Sequence, residues 1–244
     1  MFILIYGTDG TGKSVQCKSV AENSEDPVHW SFAVKNRDLY ENSGVPSVEL
    51  LSFNDDFTIN PYKTIDNFHD QVTKTLKENV VKLVVIDEIT LLRHWAQPVV
   101  LEKINRNRRA KNEYPIERIG RDNAIAWGWV NDLVYGELER LATWSVINEA
   151  NVVAITAVTE ERQLITNSEN KKVSETTGRW ICDAKPNVRK LSDVIIRLEK
   201  DGNKGKGYFL FIEKQPDRLA EGKDFVKVDK DGLLMELTSR GVIE

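Results

Sequence analysis

The chain begins Met1-Phe2-Ile3-Leu4-Ile5-Tyr6-Gly7-Thr8-Asp9-Gly10-Thr11-Gly12-Lys13-Ser14. An apolar run typical of a buried strand leads into Gly, four residues, then Gly-Lys-Ser, which is the P-loop or Walker A spacing. Glycines let the backbone turn tightly and direct successive N–H groups at an anion. A following helix offers its unpaired N–H groups and its positive dipole end to the same anion. The stretch therefore predicts a nucleotide-phosphate site between the first strand and the first helix.

The residues of this loop have separate expected roles. Lys13 is expected to reach the β- and γ-phosphates, and the Ser14 hydroxyl to bind Mg²⁺. The residues predicted to contact the nucleotide form one continuous segment: Gly7, Thr8, Asp9, Gly10, Thr11, Gly12, Lys13, Ser14 and Val15.

A P-loop also predicts a second element, a hydrophobic strand that ends in an acid (Walker B). Residues 80–88, Val-Val-Lys-Leu-Val-Val-Ile-Asp-Glu, match it. Asp87 is expected to hold Mg²⁺ together with Ser14. Glu88 is a candidate to orient and deprotonate a water molecule aimed at the γ-phosphate, which suits an ATPase. Glu88 is alternatively an acidic residue at the start of a helix, stabilised by the helix dipole.

Composition sets the broad class of the protein. The 244 residues are 41% hydrophobic and 30% charged, with a net charge of −4, so any site for a polyanion must be local. Cys17 and Cys182 have no metal-site spacing and are expected to be reduced thiols. The N-terminal apolar run is too short for a signal peptide or a membrane span. We therefore expect one cytoplasmic domain over residues 1–244, with no membrane partner.

The order of elements predicts the fold class. Strands alternate with helices up to about residue 157, and a hairpin follows with its turn near residues 201–205. This order indicates an α/β fold with a mostly parallel sheet, flanked by helices and extended by a C-terminal antiparallel hairpin. Further strands are expected at 28–34 and 45–53, and helices at 62–79 and from an N-cap at Asp122 to about residue 148. Residues 159–190 are predicted to be irregular.

A basic segment stands out at about residues 93–121, where eight Lys or Arg residues accompany three Glu residues. Within it, four residues are candidates to contact nucleic-acid phosphates: Arg106, Arg108, Arg109 and Lys111. The nearby Tyr114, Trp127 and Trp129 are possible stacking groups for bases, or else core residues. The same charges also fit a solvated helix face or loop, so both interpretations stay open.

Three more residues are catalytic candidates by position. Thr156 ends the strand after the Asp87 strand, at the edge where ligands bind in open α/β sheets, so its hydroxyl could sense the γ-phosphate. Lys214 and Arg218 follow the last strong strand. They are either solvated loop charges or residues that reach the phosphate bound to a neighbouring subunit.

Taken together, the motifs resemble the phage-type RecA-like nucleotide-binding proteins, which include single-strand annealing ATPases of the RecA/KaiC group. The resemblance rests on segments spread over residues 1–214, namely 5–14, 85–90, 127–132, 151–156 and 193–198. It implies a RecA-like core, ATP with Mg²⁺, homo-oligomeric rings or filaments, and single-stranded DNA as ligand. It also implies trans-acting roles for Lys214 and Arg218. For a phage protein, the compartment is the host cytoplasm.

Two other function classes remain. The loop and the following Gln16 also resemble thymidylate kinases, but the Asp-Arg pair which that family carries early in the chain is missing here. A nucleotide-gated adaptor, such as a helicase loader or DNA-packaging partner, is a third class. Many RecA-like proteins carry the catalytic Glu on an earlier strand, where Glu49 is the candidate, so the choice between Glu49 and Glu88 stays open.

Overall fold

The computed structural model describes residues 1–32, 34–120, 123–166, 172–184, 186–200, 208–214, 225–228, 231–239 and 241. In these ranges the strands are β1 Phe2–Tyr6, β2 Pro27–Ser31, β3 Ser47–Glu49, β4 Leu83–Asp87, β5 Asn151–Thr156, β6 Val158–Thr166, β7 Lys172–Cys182, β8 Val194–Lys200, β9 Tyr208–Lys214 and β10 Phe225–Val228. The helices are α1 Lys13–Glu22, α2 Val34–Glu41, α3 Pro61–Glu78, α4 Ile89–Ala110, α5 Ala124–Ile147, α6 Pro186–Leu191 and α7 Gly232–Ser239.

Eight of these strands form one sheet in the order β10-β9-β8-β1-β5-β4-β2-β3. The pairs from β8 to β3 are parallel, and the two pairs that join β8, β9 and β10 are antiparallel. The predicted fold class is confirmed at this level: a mostly parallel sheet flanked by helices, with a C-terminal antiparallel hairpin formed by β8 and β9.

Helices cover both faces of this sheet, which explains the nearly continuous apolar character of its central strands. Every residue of β1 and β4 is buried. One face packs against α3, α4 and α5, through residues such as Phe68, Leu92 and Leu138. The other face packs against α1 and α7, through residues such as Val20 and Leu233. These central strands hold the ends of their neighbours in fixed positions.

The register aligns the carboxyl ends of the parallel strands along one edge. Tyr6 at the end of β1 is opposite Thr156, and Ile155 is opposite Asp87. Asp87 is also opposite Ser31, which in turn is opposite Glu49. Because the P-loop follows directly after Tyr6, the predicted nucleotide loop and the predicted acids lie at the same edge of the sheet.

Helices α4 and α5 run side by side in opposite directions. Thr90 and Tyr135 line one small cavity between them, and Lys111 and Asn123 line another at the far end of α4. At 1.5 Å per residue, the 22 residues of α4 span about 33 Å. The end of α4 is therefore remote from Asp87.

The prediction that residues 159–190 are irregular is wrong. Strands β6 and β7 pair with each other in an antiparallel hairpin, with a register shift between Glu160 and Arg162. These two strands form a separate sheet. The sequence of residues 159–190 is polar and mixed in charge, so hydrophobic alternation did not reveal the two strands.

Several local boundaries also differ from the sequence predictions. Helix α5 is capped by Asn123, whose side chain accepts a hydrogen bond from the Ala126 N–H at 3.0 Å. The predicted cap, Asp122, lies outside the described residues. Strand β3 is three residues long, because the chain then enters a tight turn closed by a bridge between Phe53 and Ile59. Helices α2 and α7 and strand β10 were not predicted.

Candidate nucleotide site

The P-loop has the backbone that its glycines predict. Gly10 and Gly12 have φ values of 76° and 80°, in the left-handed region that favours glycine. Gly7 is required for a different reason. A Cβ at this position would lie 2.4 Å from the Leu198 carbonyl oxygen, so strand β8 approaches the loop too closely for any side chain. These three positions shape the loop before any ligand is considered.

The other loop residues divide into exposed and buried groups. Thr8, Asp9 and Gly10 are exposed, whereas Thr11 is buried and its Oγ1 donates to the Thr8 carbonyl at 2.8 Å. Val15 is half-buried in the first turn of α1. The exposed part of the loop is thus the part that a phosphate chain could approach.

Lys13 begins α1 and is buried at the base of the loop. Its Nζ donates to the carbonyl oxygens of Gly7 at 2.7 Å and Thr8 at 3.2 Å. The N-cap residue, Gly12, has no side chain to cap the helix. The ammonium group therefore lies at the base of the loop, beside the start of α1, and the N-terminus of a helix is a favourable position for an anion.

Ser14 and Asp87 come together from elements 73 residues apart. The Ser14 Oγ donates to the Asp87 Oδ2 at 2.7 Å, and Asp87 is 1% exposed. A hydroxyl and a carboxylate are hard oxygen ligands that suit Mg²⁺. No group of three or more His, Cys, Asp or Glu side chains with metal-binding geometry occurs among the described residues. A magnesium ion at this pair would take its other ligands from phosphate and water.

Glu88 follows Asp87 and is the N-cap residue of α4. Burial raises the pKa of its carboxyl, with smaller upward contributions from Asp87 and Asp9, while the Lys13 ammonium and the Thr90 hydroxyl lower it. The side chain thus lies near the P-loop lysine and the predicted metal ligand. A carboxylate with a raised pKa at that position has the chemistry of a general base.

Thr156 is fully buried, and its Oγ1 lies 2.8 Å from the Oγ1 of Thr90. Thr90 in turn accepts a hydrogen bond from the Ala157 N–H at 3.0 Å. The two hydroxyls connect the first turn of α4 to the end of β5. Sequence reasoning gave no role to Thr90, because its proximity to Thr156 depends on the pairing of β4 with β5.

Glu49 lies on the same edge but further from the loop. It is separated from Asp87 by strand β2, which corresponds to about 10 Å at two strand spacings. Its Oε1 accepts a hydrogen bond from the Leu51 N–H at 3.0 Å, within its own loop. Of the two candidate bases, Glu88 is the one that the fold brings next to the P-loop.

Lys214 is the last residue of β9 and is opposite Ile195 in β8. Because β9 runs antiparallel to β8, Lys214 lies toward the amino edge of the parallel sheet and away from the P-loop of its own chain. Arg218 lies outside the described residues. A role for either residue at a neighbouring subunit stays a prediction.

The basic candidates lie at the far end of α4. Arg108 forms an ion pair with Glu113 at 3.0 Å, and Arg109 forms one with Glu102 at 2.8 Å. Arg106 and Lys111 are exposed. The segment is therefore a helix end, remote from Asp87, in which two of the four predicted residues already have acidic partners.

The predicted stacking groups have different environments. Trp127 is covered by the Arg93 guanidinium at 5.0 Å, and Trp129 by the Lys103 ammonium at 4.8 Å. Both tryptophans also pack against the core. Tyr114 is 88% exposed. Of the three, only Tyr114 presents an open ring.

Comparison with known protein families found no matching family, and comparison with curated proteins found no similar sequence. Among the described helices, none is both long and apolar enough to span a membrane.

Proposed function

We propose that this chain is a RecA-like P-loop ATPase that binds ATP with Mg²⁺ and acts on single-stranded DNA as a homo-oligomer, in recombination or replication. The observation that supports nucleotide hydrolysis most directly is the 2.7 Å contact between Ser14 and Asp87. It joins the two motifs that the proposed reaction needs, although they are far apart in the sequence.

In the proposed reaction, water attacks the γ-phosphate in line with the leaving oxygen. Lys13 neutralises the charge that develops on the phosphate oxygens. Glu88 orients the water and accepts its proton. A bound Mg²⁺, held by Ser14 and Asp87, supplies further charge neutralisation. The Thr90–Thr156 pair positions the start of α4, and with it Glu88.

The only Asp-Arg pair of the chain, Asp217-Arg218, comes too late for a thymidylate-like kinase, which favours the present proposal. Strand β5 lies between the P-loop strand β1 and the acid strand β4. The intervening strand also ends in Thr156, the predicted γ-phosphate sensor.

The DNA part of the proposal is supported by local charge. Arg106 and Lys111 are exposed at the end of α4, next to Arg108 and Arg109, in a chain whose net charge is negative. Such a cluster can supply the phosphate contacts of sequence-independent binding. Tyr114 adds one exposed ring for base stacking.

The test is phosphate release from ATP with and without single-stranded DNA, and with thymidine monophosphate as an acceptor control. Stimulation by DNA supports the proposal, and Lys13→Ala is expected to abolish turnover. Phosphoryl transfer to thymidine monophosphate, without phosphate release to water, would instead favour a thymidylate-like kinase. ATP binding without turnover in any condition would favour a nucleotide-gated adaptor.

A further inference from the structure

A compact turn projects from the surface just before α3. A bridge between Phe53 and Ile59 closes it. Inside it, the Asn54 N–H donates to the Thr58 carbonyl at 2.8 Å, and the Phe57 N–H donates to the Asn54 carbonyl at 3.0 Å. The Asp56 carboxylate accepts from both the N–H and the hydroxyl of Thr58. We call residues 54–58 the knob.

The knob presents Phe57 in a strained and exposed state. Its φ is 62°, in the left-handed region that a bulky side chain rarely adopts, and its side chain is 88% exposed. Residues in such conformations persist only where surrounding structure holds them, and they concentrate at functional sites. An exposed aromatic ring on a turn with a fixed backbone can act as the anchor of a protein interface, because little conformational freedom is lost on binding.

The acidic residues beside the Phe57 ring indicate which kind of partner could bind it. Asp55 and Asp56 are both exposed. Two carboxylates next to the ring repel the phosphates of a nucleic acid or of an anionic membrane. They match an apolar pocket of a protein with a basic rim.

The chain itself contains such a pocket. A groove of about 620 Å³ lies between α3, α4 and α5. Its walls include Tyr62, Val99, Trp129 and Leu133, and Lys103 and Arg106 also line it. Two acidic residues also line it: Glu102, which is paired with Arg109, and Asp132. We call this cavity the α3–α4–α5 groove; it is large enough to accept one phenylalanine ring.

The knob and the groove are joined through the start of α3. Asn60 caps α3 by accepting from the Lys63 N–H, and its Nδ2 donates to the Asn54 Oδ1 at 2.9 Å. Tyr62, in the first turn of α3, is a wall of the groove. The knob and the α3–α4–α5 groove therefore lie next to each other. A two-fold interface requires one surface that is complementary to itself, and such a surface needs both features.

We propose that two copies of this chain associate through this surface, with Phe57 of each copy in the α3–α4–α5 groove of the other. Asp55 of one copy then faces Lys103 of its partner copy. The reciprocal arrangement fills two grooves and forms two sets of charge pairs. This contact needs no nucleotide or DNA and is independent of the proposed ATPase activity.

The first experiment measures the dimer dissociation constant by sedimentation velocity, without nucleotide. The wild-type chain is expected to dimerise, and Phe57→Ala to weaken the dimer about tenfold or more, as for an interface anchor. Met235→Ala is the matched control, because Met235 is 68% exposed but lies on α7, on the other face of the sheet. A monomeric wild type, or equal weakening by both variants, would overturn the proposal.

A charge exchange tests the pairing itself. Asp55→Lys and Lys103→Glu should each weaken the dimer, and the chain that carries both should recover affinity, because the opposite charges again face each other. Asp56 is left unchanged, since its carboxylate holds the turn. Additive weakening in the double variant would contradict the knob-in-groove arrangement. Phosphate release measured on the same variants reports separately on the proposed function.

Discussion

At the residue scale, the proposed hydrolysis depends most directly on Glu88. Glu88→Gln keeps the size and hydrogen-bonding shape of the side chain but removes the base. We expect ATP binding to persist and the hydrolysis rate to fall about 100-fold or more. Phosphate release under single-turnover conditions, together with a nucleotide-binding titration, measures both quantities.

Glu49→Gln is the matched control for this experiment. Glu49 lies at the same edge of the sheet, but its carboxylate accepts from the Leu51 N–H in its own loop. Hydrolysis in this variant should stay near the wild-type rate. If Glu49→Gln abolished turnover while Glu88→Gln did not, the general base would be Glu49.

His29 makes stability depend on pH. Burial lowers its pKa to about 4, below the ordinary value near 6.5 that it regains on unfolding. Between these values the unfolded chain binds a proton that the folded chain does not, so the free energy of unfolding falls as pH drops through this window. The full loss is about 3 kcal/mol. Urea unfolding between pH 7 and pH 4 measures it.

His29→Gln should flatten this pH dependence, whereas His94→Gln should not. His94 is exposed on α4 and serves as the surface control. The ring of His29 instead stacks on Tyr40 at 3.6 Å. If the free energy of unfolding of His29→Gln still fell between pH 7 and pH 4 as in the wild type, groups other than His29 would cause the loss.

At the element scale, the P-loop is held against strand β8. In Gly7→Ala the added methyl group would meet the Leu198 carbonyl oxygen at 2.4 Å, so the loop or the strand must move. We expect the free energy of unfolding to fall by about 1–3 kcal/mol and ATP binding to weaken. Urea unfolding and a nucleotide titration test the two effects.

Gly128→Ala is the opposite case in helix α5. A Cβ there has open space, with no atom within 4 Å, and the helical backbone suits alanine. This substitution should raise the free energy of unfolding by up to about 1 kcal/mol. Destabilisation by both changes to a similar extent would show that the close approach of β8 is not the cause.

At the scale of the whole molecule, the proposed binding of DNA depends on a local cluster in an acidic chain. Charge reversal at Arg106, Arg108 and Arg109 should weaken binding to single-stranded DNA and reduce the salt slope by about 2 for three lost phosphate contacts. Fluorescence anisotropy over a range of salt concentrations measures both affinity and slope.

Reversal of three exposed lysines on α3, at positions 63, 74 and 77, is the control for net charge. It changes the charge of the chain by the same amount as the arginine variant but leaves the end of α4 intact. Equal losses in the two variants would indicate a general electrostatic effect. If the arginine variant kept the salt dependence of the wild-type chain, the end of α4 would not be a site of DNA binding.

Local patterns allowed most of the central fold to be predicted. The glycine spacing of the P-loop, the apolar strand before Asp87 and the helical periodicity of α3 each depend on neighbouring residues, so a short window of sequence contains them. The β6–β7 hairpin was missed because its strands pair with each other outside the main sheet, in a stretch that is polar and mixed in charge. The polar, turn-rich sequence of residues 54–61 predicts a turn there, but the left-handed backbone at Phe57 has no signature in a phenylalanine.

The sequence by itself determined the glycine-rich turn after β1, the apolar strand that ends in Asp87 and the alternation that builds a parallel sheet. Only the tertiary structure decided which distant groups meet: Ser14 with Asp87, Thr90 with Thr156, and the walls of the α3–α4–α5 groove. The physical reason is the range of the forces involved. Turns and periodicity arise between residues close in sequence, whereas strand order and helix packing come from burial of apolar surface over the whole chain.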